Sequence, residues 1–96
     1  MQIEWMPQSK TVIMPEEVTL KTLPALLKAN KGWRDMTVET VDFSKVVRAD
    51  SAVLALLLVW RAGVAQPLQM QAFPEQLATL VGLYDLDDVL SLALQE

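Results

Sequence analysis

The chain contains no histidine and no cysteine, and it has only three glycines in 96 residues. Without histidine it lacks the commonest general base and the commonest metal ligand; without cysteine it has no thiol nucleophile, no thiolate metal site and no disulfide framework. Gly32, Gly63 and Gly82 stand too far apart to form a phosphate-cradling loop, so the chain is not expected to hydrolyse nucleotides by itself. No catalytic residue, cofactor or metal site is therefore expected. Long apolar runs are missing too: the longest, Ala52 to Trp60, is about half of the roughly 20 residues that span hydrocarbon. Met1 to Met6 carries no basic residue and no long apolar core, so it reads as neither a signal peptide nor a lipidation site, and a cytoplasmic chain is the default. Positive charge is scarce and scattered, and a net charge of -4 repels phosphate, which argues against nucleic acid as a partner.

What the chain does have is apolar surface. Its hydrophobic content is 52%, high for a small soluble monomer, while 21% charged is ordinary. One domain over residues 1–96 buries somewhat over half of its unfolded surface on folding, roughly 60–68%. The excess concentrates between Val41 and Trp60, VDFSKVVRADSAVLALLLVW, where a strand passes through a polar turn into a helix with almost no polar face. A surface helix needs one apolar stripe to cover its core, so apolar residues all round imply a second contact surface, most simply another protein.

The coarse order of elements follows from periodicity and punctuation. Gln2–Met6 and Lys10–Met14 read as a hairpin around Pro7, Gln8 and Ser9. Thr19 can cap a helix carrying Leu20, Leu23, Leu26 and Leu27, although Pro24 moves the regular helix to about Thr22; Asn30 and Gly32 can close it. Thr37–Phe43 alternates as a strand and runs on to Val47, and Arg48–Ser51 forms a polar turn. The second helix ends near Gly63, Leu68–Phe73 is a strand between Pro67 and Pro74, and Pro74 opens a helix carrying Leu77, Leu80, Val81 and Tyr84 that runs into Gly82. Leu83–Glu96 is an acidic and apolar tail with an uncertain helical turn. Asp85, Asp87 and Asp88 lack the ligand pattern of an EF-hand and read as a helix start with a solvated face. The expected architecture is an α/β domain whose mixed sheet has parallel later strands joined by crossovers. In such sheets functional contacts gather at strand carboxyl ends and adjacent helix N-termini, where Arg48, Asp50 and Ser51 fall. Asp50 or Ser51 caps the second helix. Ser51 there is also a candidate phosphorylation switch that would gain close to two negative charges.

The run VDFSKVVRADSAVLALLLVW resembles the signature of STAS domains, in which an apolar-Asp-apolar-Ser strand end leads through a short turn into Asp-Ser or Asp-Thr and a Leu-rich helix. The resemblance continues upstream through TVIMPEEVTLKTLPALL and downstream through LVGLYDLDDVL. The chain departs from the usual pattern in carrying Ala52 and Val53 where glycines commonly follow the Ser or Thr, and Glu16, Glu17, Val18 and Thr19 where Gly-Glu-Leu-Asp is usual. It implies a STAS-like α/β fold, a small mixed sheet with helices packed on one side. It further implies a non-enzymatic cytoplasmic subunit that supports the ATPase of a phospholipid ABC transporter, within a complex that also holds permease and substrate-binding subunits and maintains outer-membrane lipid asymmetry.

Carried over position by position, the resemblance places Thr19, Asp50 and Ser51 at the partner contact. It puts Leu54, Leu57 and Leu58 on the sheet and leaves Ala52, Leu56, Val59 and Trp60 for the partner. Three alternatives accompany it. The chain could be an anti-sigma factor antagonist switched by phosphorylation at Ser51; the stripe could close a homodimer; or the tail from Leu86 to Leu94 could cover it.

Overall fold

A computed structural model describes residues 3–64, 68–83 and 93–95. Strands β1 (Glu4–Met6) and β2 (Thr11–Ile13) form the expected antiparallel hairpin, with Lys10 closing the turn at a positive φ of 53°. Strands β4 (Thr40–Asp42), β6 (Gln69–Gln71) and β7 (Ala93–Gln95) add in parallel, giving a five-stranded mixed sheet in the order β1-β2-β4-β6-β7. A separate parallel pair joins β3 (Glu17–Val18) to β5 (Arg48–Ala49).

Register makes the main sheet one-sided. Trp5, Val12, Val41 and Met70 stand opposite one another across four strands, and Val12, Val41 and Met70 are wholly buried. Their strand neighbours Thr11, Ile13, Thr40, Asp42 and Gln71 point to the other face and remain partly or fully exposed, as a period of two requires. Residues from all three helices, α1 (Leu23–Ala29), α2 (Ala52–Ala62) and α3 (Glu75–Leu83), join the buried face in one core that includes Leu26, Leu57, Trp60, Leu77 and Val81. The helices therefore share one side of the sheet.

Local chemistry explains the helix starts. Thr19 and Thr22 cap reciprocally: the Thr19 amide donates to Thr22 Oγ1 at 3.0 Å and the Thr22 amide to Thr19 Oγ1 at 3.4 Å. Regular helix follows from Leu23, with Pro24 in the first turn, where its missing N–H costs nothing. Asn30 closes α1 by donating from Nδ2 to the Leu26 carbonyl at 2.7 Å. The Pro74 carbonyl receives the amides of Leu77 and Ala78 at the start of α3.

Three expectations need correction. The strand expected from Thr37 to Val47 is confined to Thr40–Asp42; it stops there because the Asp42 side chain takes the Ser44 amide at 2.8 Å and turns the chain. Arg48 and Ala49 belong to a strand instead of a turn, since the Val47 and Arg48 amides bond to the distant Glu16 carbonyl at 2.7 and 3.0 Å. The tail contributes a fifth strand, Ala93–Gln95, with Leu94 opposite Met70. Tyr84, Asp85, Asp87, Asp88 and the rest of residues 84–92 lie outside the described residues.

Leu57 is fully buried at the centre of the core. Leu57→Ala removes that packing and leaves a cavity, lowering the unfolding free energy by about 2–5 kcal/mol, a large share of what a domain of this size has. Urea unfolding should show an earlier midpoint with an unchanged slope.

Candidate partner-binding site

Asp50 sits between β5 and α2 and uses both carboxylate oxygens. Oδ1 accepts the Ala52 amide at 2.9 Å, satisfying a first-turn N–H of α2, and Oδ2 accepts the Leu20 amide at 3.1 Å, thirty residues away in the loop before α1. The Asp50 amide in turn donates to the Val18 carbonyl at 3.3 Å. One side chain thus fixes the start of α2 and ties it to the β3–α1 loop. Ser51 occupies the position just before the helix with αR backbone angles, yet its hydroxyl makes no capping hydrogen bond. Of the two capping candidates, Asp50 caps and Ser51 remains half-buried beside it.

Thr19 is buried, and its hydroxyl accepts the amides of Lys21 and Thr22 at 3.3 and 3.4 Å while lying 3.4 Å from Glu17 Oε2. It builds the loop that Asp50 holds. Thr19, Asp50 and Ser51 are therefore brought to one edge of the molecule, around the N-terminus of α2. Leu20, 69% exposed, projects from the same loop. An open cleft of about 420 Å³ lies alongside, lined by Glu17, Lys21, Thr22 and Ala25 among others.

The faces of α2 are distributed differently from the expectation. Val53, Leu56, Leu57 and Trp60, at successive spacings of three, one and three, form the buried face, with Ala52 and Leu54 flanking it. Ala52 is 4%, Leu56 2% and Trp60 1% exposed, so none of the three offers surface to a partner. Trp60 is held inward by a second constraint: its indole Nε1–H donates to the Trp33 carbonyl at 2.9 Å, tying the short 3₁₀ turn Trp33–Asp35 to α2. The open face consists of Ala55, Val59 and Ala62, with half-buried Leu58 beside them and Ser51 at its head. Val59, 40% exposed, is the member of the expected stripe that is outward. The spacing of 51, 55, 58, 59 and 62 was present in the sequence, but choosing between faces depends on where Trp33 and the sheet lie.

A mixed sheet with helices on one side, and an Asp-Ser turn leading into a Leu-rich helix held by that aspartate, define a STAS-type domain. The chain belongs to that family: a family model described as "Mlab, STAS domain" matches residues 1–94. No curated protein matches the chain.

The geometry separates the two capping candidates by their effect on stability. Asp50→Ala deletes both acceptors and should cost about 2 kcal/mol, whereas Ser51→Ala, which removes no capping bond, should stay within about 0.5 kcal/mol of wild type. Paired denaturation curves measure both.

Proposed function

We propose that the chain is a non-enzymatic binding subunit that holds the cytoplasmic ATPase of a phospholipid ABC transporter in its assembled, active form. The observation that carries this reading is the open face of α2: Ala55, Val59 and Ala62 lie side by side, with half-buried Leu58 at their border, on the outside of a helix whose inner face is already fully engaged. An apolar stripe left outward on a small domain is the signature of a contact surface. The STAS family assignment, together with the resemblance to the STAS subunit of such transporters, is what supports a transporter ATPase as the partner. In this reading α2 lays its outer face on the ATPase, with Ser51 and the Thr19–Leu20 loop at the edge of the contact. No helix among the described residues is long and apolar enough to cross a membrane, so the chain would reach the inner membrane through its partner and support the transport that keeps outer-membrane lipids asymmetric.

A second reading rests on the Ser51 hydroxyl, which takes no part in capping. In an anti-sigma factor antagonist this group would receive a phosphate, and the added charge would lie beside the Asp50 carboxylate, repelling it from the amides it holds. Incubation with a serine kinase and ATP followed by intact mass tests this reading: a gain of one phosphate at Ser51 favours it, and an unmodified chain counts against it.

The transporter reading is tested by mixing the chain with the ATPase encoded nearest to it and measuring complex formation and ATP turnover. Val59→Arg and Ala55→Arg should retain the wild-type melting temperature and weaken association at least about tenfold, equivalent to roughly 1.4 kcal/mol. Leu56→Arg should instead unfold the chain, because that side chain is in the core. Wild-type association by both outward variants would remove the α2 face from the interface.

A further inference from the structure

Leu20 leaves 69% of its surface exposed and is not packed against the core, yet the loop that carries it, between β3 and α1, is firmly tied. The Thr19 carbonyl accepts the amides of Thr22 and Leu23 at 3.1 and 2.8 Å, the Thr22 hydroxyl donates to the Glu17 carbonyl at 3.3 Å, and the Leu20 amide donates to Asp50 Oδ2 at 3.1 Å. None of these bonds uses the Leu20 side chain. Any residue with a backbone N–H would build the same loop, so the fold does not call for a leucine there.

A single exposed leucine on a small domain is ordinary, but one that extends an apolar face is not. The Asp50 carboxylate places Leu20 beside such a face. Oδ1 holds the Ala52 amide at 2.9 Å while Oδ2 holds the Leu20 amide, so the Leu20 backbone and the first turn of α2 lie on the two oxygens of one side chain. Ser51, next to Asp50, heads the row that continues through Ala55, Val59 and Ala62. Val47, 84% exposed, lies instead before β5, at the end away from Asp50.

We infer that Leu20 is an anchoring contact for the protein that covers the open face of α2, and that Asp50 is the residue that positions it. The inference rests on the docking proposed above and deepens it: beyond the N-terminal end of α2 the partner presents an apolar pocket that receives Leu20. Asp50 keeps its two amides in the complex and acts through Leu20 rather than by touching the partner. By fixing the loop before binding, it lowers the ordering cost of seating the leucine.

The probe is the ATPase encoded nearest to the chain, titrated by calorimetry into wild type, Leu20→Ala, Leu20→Met, Asp50→Ser, the Leu20→Ala/Asp50→Ser double variant, Val47→Ser and Val59→Arg, with melting temperatures confirming that each is folded. A serine hydroxyl at position 50 can still accept the Ala52 amide two residues on, but it offers no second oxygen to Leu20. Leu20→Ala should bind about tenfold more weakly at the wild-type melting temperature, and Asp50→Ser about fivefold more weakly. Leu20→Met and Val47→Ser should bind as wild type. The double variant should bind no more weakly than Leu20→Ala alone, because Asp50 has nothing left to position. Losses that multiply in the double variant would overturn the positioning role of Asp50. Wild-type affinity in Leu20→Ala, or an equal loss in Val47→Ser, would overturn the anchor; if Val59→Arg still loses binding, the α2 face stands without it. Undiminished binding by both Leu20→Ala and Val59→Arg, or no binding by wild type, would overturn the anchor and the α2 docking together.

Discussion

Apart from Arg61 in its last turn, helix α2 is apolar all round, and in a domain this small only one of its sides can be covered from within. The sheet row Trp5, Val12, Val41 and Met70, together with core residues from α1 and α3, engages Val53, Leu56, Leu57 and Trp60, and there is no second sheet face or helix layer among the described residues to take Ala55, Val59 and Ala62. Everything else about the site follows from how this helix is fixed. Its rotation about its own axis decides which apolar residues are spent on stability and which remain for association.

Two polar contacts set that rotation, one at each end. At the N-terminus Asp50 holds the Ala52 and Leu20 amides, so the start of the helix is bound to the loop that leads into α1. Near the C-terminus the Trp60 indole is anchored on the Trp33 carbonyl. Both are side-chain to backbone bonds between segments roughly thirty residues apart, and the buried one, from Trp60 to Trp33, satisfies an indole N–H that would otherwise lack a partner inside the protein. A helix held this way presents a defined outer surface, and a surface held in place before binding loses less entropy on association.

The sequence carried the fold class well, because its signals were local: alternation in β1, β2 and β4, the Thr19–Pro24 helix start, and proline and glycine at element ends. The family resemblance through the Asp-Ser turn pointed the same way as the family that the chain belongs to. What could not be read was long-range. The Arg48–Ala49 strand exists only because Glu17–Val18 lies beside it, and the Ala93–Gln95 strand only because β6 offers an edge. Leu54, Leu57 and Leu58 do face the core as expected, but the outward placement of Ala52, Leu56 and Trp60 fails for the same reason: on a helix of nearly uniform hydrophobicity the periodicity has no preferred direction, and the Trp60–Trp33 bond that resolves it joins distant positions. Thr19, Asp50 and Ser51, read as neighbours from the resemblance, do come together, with Asp50 rather than Ser51 holding the helix.

The absence of cysteine in the chain permits a direct test of which side of α2 is covered by a partner. A single thiol introduced at Ala55, on the open face, can be alkylated in the free protein and again in the presence of the ATPase proposed as its partner. Fast modification alone, slowed strongly by the ATPase, while a thiol placed at Gln71 on the opposite side of the sheet keeps its rate, is the result predicted here. Equal rates at Ala55 with and without bound ATPase would contradict the central claim that the outer face of α2 is the surface this domain was left to share.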